Sequence, residues 1–142
     1  MKQFATFYVN EKLYGVDVIK VQEVTRKLKL TPVRRAPPFV RGLMNLRGQI
    51  STAIGLRSLI DPEVPTLSSE DEMTVVCRGE DGLLSLLVDR IGDVVEVGDE
   101  AFEPVPDNLE GAVKSLLSGI YKMESNLLSI IEIEKLTEVL KQ

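Results

Sequence analysis

Residues 37–59, PPFVRGLMNLRGQISTAIGLRSL, hold a chain break, a turn, a strand and a cation within two dozen positions. Pro37 and Pro38 stop any helix or strand from running in unbroken. A short helical turn from Phe39 to Met44 is expected next, with Gly42 near its end, where helices tend to stop. Asn45-Leu46-Arg47-Gly48 is a turn signal by its Asn and Gly. Beyond it Ile50, Thr52 and Ile54 fall on one face of an extended segment, with Ser51, Ala53 and Gly55 on the other. A tight loop beside a strand can hold a long cation out towards a partner, which singles out Arg47.

Working towards the N-terminus, Phe4, Thr6 and Tyr8 alternate with Ala5, Phe7 and Val9, the pattern of a strand. Asn10-Glu11-Lys12 turns it, and Leu13 to Val18 returns. Lys20 to Val24 continues as an extended or bulged segment, and Arg26 to Arg35 as a short strand with a loop. Towards the C-terminus, Asp61 to Glu72 carries two prolines, two serines and a run of acids, and reads as a linker. Met73 to Arg78 and Leu83 to Val88 are strands joined by a hairpin turn at Asp81-Gly82. A helical segment is expected from Leu109 to Leu117. Leu136, Val139 and Leu140 recur at helical spacing within Glu134 to Gln142, a short helix expected to cover an open barrel end.

The second half repeats the first. Lys20-Val21-Gln22-Glu23-Val24 lies over Arg90-Ile91-Gly92-Asp93-Val94 at an offset of seventy. Gly42, Leu43, Leu46, Ile50, Ile54, Leu56 and Leu59 lie over Gly119, Ile120, Met123, Leu127, Ile131, Ile133 and Leu136 at an offset of seventy-seven. A repeat near half the chain length means one supersecondary unit used twice. Many short strands between Gly, Pro and Asn turns indicate a small barrel or sandwich. The expected fold is all-β with short helices: two units of about five short strands each, stabilising each other by packing face to face. The first barrel is placed at 1–61, the linker at 62–72 and the second barrel at 73–142, all within one domain.

Composition narrows the function. The chain has 142 residues and no histidine. The commonest general base, the usual nucleophile triads and the commonest zinc ligand are therefore missing. One cysteine, Cys77, sits in the apolar run Val75-Val76-Cys77 and reads as a buried hydrophobe; it cannot form an internal disulfide, which fits a reducing cytoplasm. No glycine-rich phosphate loop is present, and no acid pair stands out by spacing. The expectation is a non-catalytic binding protein with no cofactor, no metal and no membrane insertion. From Lys20 to Arg57 there are nine Lys or Arg against one acid, a surplus of eight; from Ser58 onward there are six against nineteen, a deficit of thirteen. That basic band is either a solvated surface or a partner surface. Nucleic acid is the alternative partner, weakened because Phe39 is the band's only aromatic.

The chain resembles the CheW-like chemotaxis coupling family from Phe4 to about Leu140. The resemblance rests on Tyr14-Gly15-Val16-Asp17 with Lys20 to Val24, on Gly42-Leu43-Met44-Asn45-Leu46-Arg47-Gly48, on Leu87 to Val94, and on Gly119 to Leu136. It implies two five-stranded SH3-like β-barrels packed around a shared hydrophobic core, and a cytoplasmic scaffold that bridges the helical hairpin of chemoreceptors and the regulatory domain of the chemotaxis histidine kinase, in an array with other CheW-like domains. It implies a receptor-facing apolar groove between the two barrels at Val21, Glu23, Gly42, Asn45, Arg47, Gly48, Val75 and Val94; it leaves the kinase-contacting residues unassigned. The family usually has a proline where this chain has Thr52 and an aspartate where it has Gly55. These departures point to a divergent receptor class or a second, non-flagellar pathway.

Overall fold

The computed structural model describes residues 1–61, 63, 71–109 and 112–141. Most of the 62–72 linker lies outside the described residues. In chain order the elements are β1 (Lys2–Val9), β2 (Lys12–Asp17), a 3-10 turn (Val18–Lys20), β3 (Val21–Arg26), β4 (Leu30–Thr31), β5 (Val40–Leu46), β6 (Gln49–Gly55) and α1 (Leu56–Ile60). They are followed by β7 (Met73–Gly79), β8 (Gly82–Val88), β9 (Arg90–Val97), a 3-10 turn (Asp99–Ala101), β10 (Phe102–Glu103), α2 (Ala112–Leu116), β11 (Leu117–Lys122), β12 (Leu127–Ile131) and α3 (Ile133–Leu140).

The strands form two six-stranded sheets, ordered β10-β11-β12-β2-β1-β9 and β3-β7-β8-β6-β5-β4. The fold is mostly β, but each unit has six strands rather than five, and neither sheet closes into a hydrogen-bonded barrel. The sixth strand is β5, where the sequence suggested a helical turn. Gly42, Met44 and Leu46 are buried and Leu43 and Asn45 exposed, a period of two. Gly42 marks a bulge rather than a helix end: the register shifts between Val40 and Gly42, φ is +140° there, and the backbone of β4, paired alongside β5, comes close at Thr31.

The sheets do not follow the division at 61 and 73. Hairpin β1–β2 pairs with strands of the second half, and hairpin β7–β8 with strands of the first. The repeat has exchanged its hairpins, and the exchange is reciprocal to the residue. Ser51 faces Leu83 in the parallel pair β6–β8, and Leu128 faces Leu13 in the parallel pair β12–β2. Phe7 faces Ile91 where Cys77 faces Val21. The bulge between Val40 and Gly42 recurs between Leu117 and Gly119. All these positions differ by the offsets of seventy and seventy-seven.

Exchange explains why β1, β7 and β8 are apolar on both faces. Phe4 and Tyr8 face a core inside one sheet, with Leu13, Tyr121 and Leu128. Val76 and Leu87 face a core inside the other, with Met44, Leu46 and Ala53. The opposite faces, with Phe7, Val9, Val75, Cys77, Leu84 and Leu86, meet in the largest core between the sheets. Helix α3 belongs to that shared core through Ile133 and Leu136 rather than closing an outer barrel end. Leu117, expected in the helical segment, begins β11 instead.

Two crossovers carry the chain between sheets, and each is strapped to a helix. Lys20, after the first, lies 2.5 Å from Glu134 of α3. Asp89, at the second, lies 2.7 Å from Arg57 of α1 and accepts from the Asn10 N–H at 2.7 Å. Arg57 and Glu134 are equivalent in the repeat, so the two straps have opposite polarity. Arg57 thus finds an acid although Gly55 supplies none.

Candidate functional site

Arg47 and Gly48 form the two-residue turn between β5 and β6, at φ +50° and +91°. Such positive values match the twist of a two-residue hairpin and favour Asn or Gly. The Asn45 side chain accepts from the Gly48 N–H at 2.9 Å. An arginine at a left-handed position is uncommon and costs backbone energy. The turn lifts its side chain off the sheet, and Arg47 remains 75% exposed.

Its partner is Glu23, the one acid of the basic band. The Glu23 side chain is 22% exposed and ion-paired to Arg47 Nη2. Strands β7 and β8 lie between β3 and β6, so the sheet curls until its β5–β6 tip meets β3. Gln22 and Gln49 join the same two edges at 3.3 Å. The hydrogen bond from Arg47, opposed by partial burial, holds the Glu23 carboxyl below the usual carboxylate range. The Glu23 hydrogen bond likewise raises Arg47. Val24, next to Glu23 on β3, and Leu43 and Ile50, on the two strands that the turn joins, are exposed apolar side chains. A fixed cation on strands that also carry exposed apolar side chains suits a protein surface with an apolar ridge and a carboxylate.

The other predicted positions divide. Asn45 and Gly48 shape the tip. Val21 stands across the β3 bulge from Glu23 and packs partly against the shared core. Gly42 is buried, and its close approach is internal: a Cβ there would stand 2.6 Å from the Thr31 carbonyl oxygen. Val75 is 1% exposed within the shared core, and so does not face outward as the groove expectation required; a central strand with sheet on both sides buries both its faces. Val94 is 59% exposed but lies on β9 of the other sheet, opposite Ala5. The expected trough between the two units is, at Val75, packed core. The outward-facing site is the Glu23–Arg47 tip.

The basic band is largely neutralised. Lys20, Arg47 and Arg57 pair with Glu134, Glu23 and Asp89. Lys27 and Arg41 both reach Glu72, at 3.4 and 3.2 Å, with all three side chains at most 16% exposed. Five of the nine cations thus face carboxylates, which removes the support for a phosphate-binding stripe. Sequence reasoning missed Glu72, hidden in the acidic run, and the Gln22–Gln49 contact. The signal for the helix straps was present, since Arg57 lies over Glu134 in the repeat. Among the described residues no group of acids, cysteines and histidines is placed to hold a metal, and no helix is long and apolar enough to cross a membrane.

The geometry has known counterparts. The model of the CheW-like domain matches residues 3–141. A chemotaxis protein CheW from Treponema pallidum is 31% identical over 137 residues, covering 94% of this chain and 81% of that protein. Its Klebsiella aerogenes counterpart is 27% identical, covering 95% and 81%. The crystal structure of the scaffolding protein TtCheW from Thermoanaerobacter tengcongensis superposes with a TM-score of 0.82 at 26% identity, covering 94% of this chain and 85% of that one. With the family model spanning nearly every residue of both exchanged units, the chain belongs to the CheW-like domain family.

Proposed function

We propose that this protein is a chemotaxis scaffold that couples the cytoplasmic helical hairpin of a chemoreceptor to the regulatory domain of the chemotaxis histidine kinase. The family supports the scaffold role, as do relatives whose names place them in chemotaxis. The observation that carries the receptor side is Arg47, held exposed at a left-handed backbone position and steadied by Glu23. An apolar ridge of the receptor hairpin lies along Val24, Leu43 and Ile50, and a receptor carboxylate takes the guanidinium.

The test is a titration of the labelled kinase regulatory domain with this protein, with and without receptor hairpin. A ternary complex tighter than either pair is expected. Arg47→Glu lowers hairpin affinity about tenfold, as a lost anchor does, and leaves the unfolding midpoint nearly unchanged because the side chain is exposed. Intact binding with a large loss of stability would make Arg47 structural and remove the receptor assignment.

A further inference from the structure

The internal repeat supplies a template for a surface on the opposite sheet from Arg47. Helix α3 runs eight residues, and its last turn lies over the start of β8. There Leu140 and Lys141 line a groove of about 200 Å³ with Leu83, Leu84 and Thr52. Lys141 Nζ stands 3.2 Å from Asp81 Oδ2. The equivalent floor on the other sheet is Leu13, Tyr14 and Ser129, with Glu11 in place of Asp81. Helix α1, however, has five residues, and Asp61 after it is extended. The position equivalent to Leu140 is Glu63, which is exposed and whose N–H donates to the Asp61 side chain. Among the described residues α1 therefore places no apolar side chain where α3 places Leu140.

A groove of about 400 Å³ occupies that side, lined by Tyr14, Leu109, Val113, Leu117 and Leu127, with Glu11 at its edge. Leu127 is 54% exposed. Tyr14 is 4% exposed, and its hydroxyl makes no hydrogen bond within the described residues. Burial pushes its pKa up, so the hydroxyl stays a donor. A helix C-terminus brings the complement: carbonyls without intrahelical partners, and a preference for cations in the last turn.

We propose that this groove receives the last turn of an amphipathic helix from a partner protein. A leucine-type side chain sits on the floor of Leu13 and Tyr14 with exposed Leu127 beside it, a lysine or arginine meets Glu11, and the Tyr14 hydroxyl donates to a terminal carbonyl. The chain's own α3 shows the chemistry of that guest. The groove shares no residue with the Glu23–Arg47 tip and does not depend on the receptor reading.

The probe is a lactam-bridged helical peptide with the sequence of residues 133–141, IEKLTEVLK, titrated into the isotope-labelled full chain and followed by NMR. Saturable shifts at Tyr14, Val113 and Leu127 are expected below about 1 mM peptide, the weak end of specific binding. Leu127→Asp and Glu11→Lys each weaken binding about fivefold with the unfolding midpoint held, since both side chains are exposed. A peptide carrying glutamate at the last position recovers affinity for Glu11→Lys. Shifts confined to the β7–β8 side, where the peptide would displace α3, overturn the proposal. So does the absence of shifts at 1 mM, or undiminished binding to Leu127→Asp.

Discussion

Replacing Gly42 by alanine separates two ways a glycine is required. At φ +140° an L-residue is strained, at a cost of about 1–3 kcal/mol. The new methyl also stands 2.6 Å from the Thr31 carbonyl oxygen and 3.1 Å from its carbon. Moving that backbone costs about 1–3 kcal/mol more, the scale of overpacking. The sum is about 4 kcal/mol, which lowers the midpoint by roughly 8–16 °C in a domain of this size. Gly82 is the control. Its φ is +131°, and nothing lies within 4 Å of its Cβ position, so Gly82→Ala carries the strain alone. Both variants are followed by thermal and urea unfolding with circular dichroism. Gly42→Ala is expected to lose about twice as much stability as Gly82→Ala. Equal losses would refute the claim that β4 lies tight on β5, and would return Gly42 to the candidates for partner contact.

Further perturbations test the core and the straps. Thr74 Oγ1 is buried with no hydrogen-bond partner among the described residues; Thr74→Val is expected to stabilise by about 1 kcal/mol, and a destabilised variant in the same urea assay would expose a hidden partner. Burial pushes the Cys77 thiol up to about 12, so an aromatic disulfide reagent should label it only upon unfolding; labelling of the native protein at neutral pH would contradict that burial. The Lys20 hydrogen bond lowers Glu134 and raises Lys20. A lowered carboxyl stabilises above its unfolded pKa, near 4.3, and loses that contribution as pH falls through the folded value. A raised ammonium stabilises below its unfolded pKa, near 10.4, and loses it as pH rises through the folded value. Lys20→Met should therefore flatten the midpoint-against-pH profile on both flanks, and a profile parallel to that of the parent would deny the strap.

Alternation along β1 could be read without coordinates, because period-two burial writes itself into residue type; the hairpin after β7 was legible too, but one residue out, since its loop is Glu80-Asp81 and Gly82 already pairs with Gly79. So could the duplication, whose offsets reappear as hydrogen-bond register. Strand β5 was obscured by two prolines and a glycine that resemble helix punctuation, although Gly42, Met44 and Leu46 alternate with Leu43 and Asn45. Which hairpin joins which sheet was not legible, since equivalent units carry equivalent edges and only the shared core decides between them. At the site, the sequence singled out Arg47. It misassigned Val75, because an apolar strand residue looks alike whether it faces a partner or a second sheet.

The exchanged hairpins also set the order in which the chain acquires structure during synthesis. Strand β1 is synthesised before its sheet neighbours, and Phe4 must wait for Val95 and Leu13 for Leu128. The sheet of β1 therefore assembles only once β12 has emerged, whereas the sheet of β3 to β8 has all its strands by Val88. Contacts so distant in sequence form slowly, so a nascent chain carries Phe4, Phe7 and Tyr14 uncovered until those partners have been made.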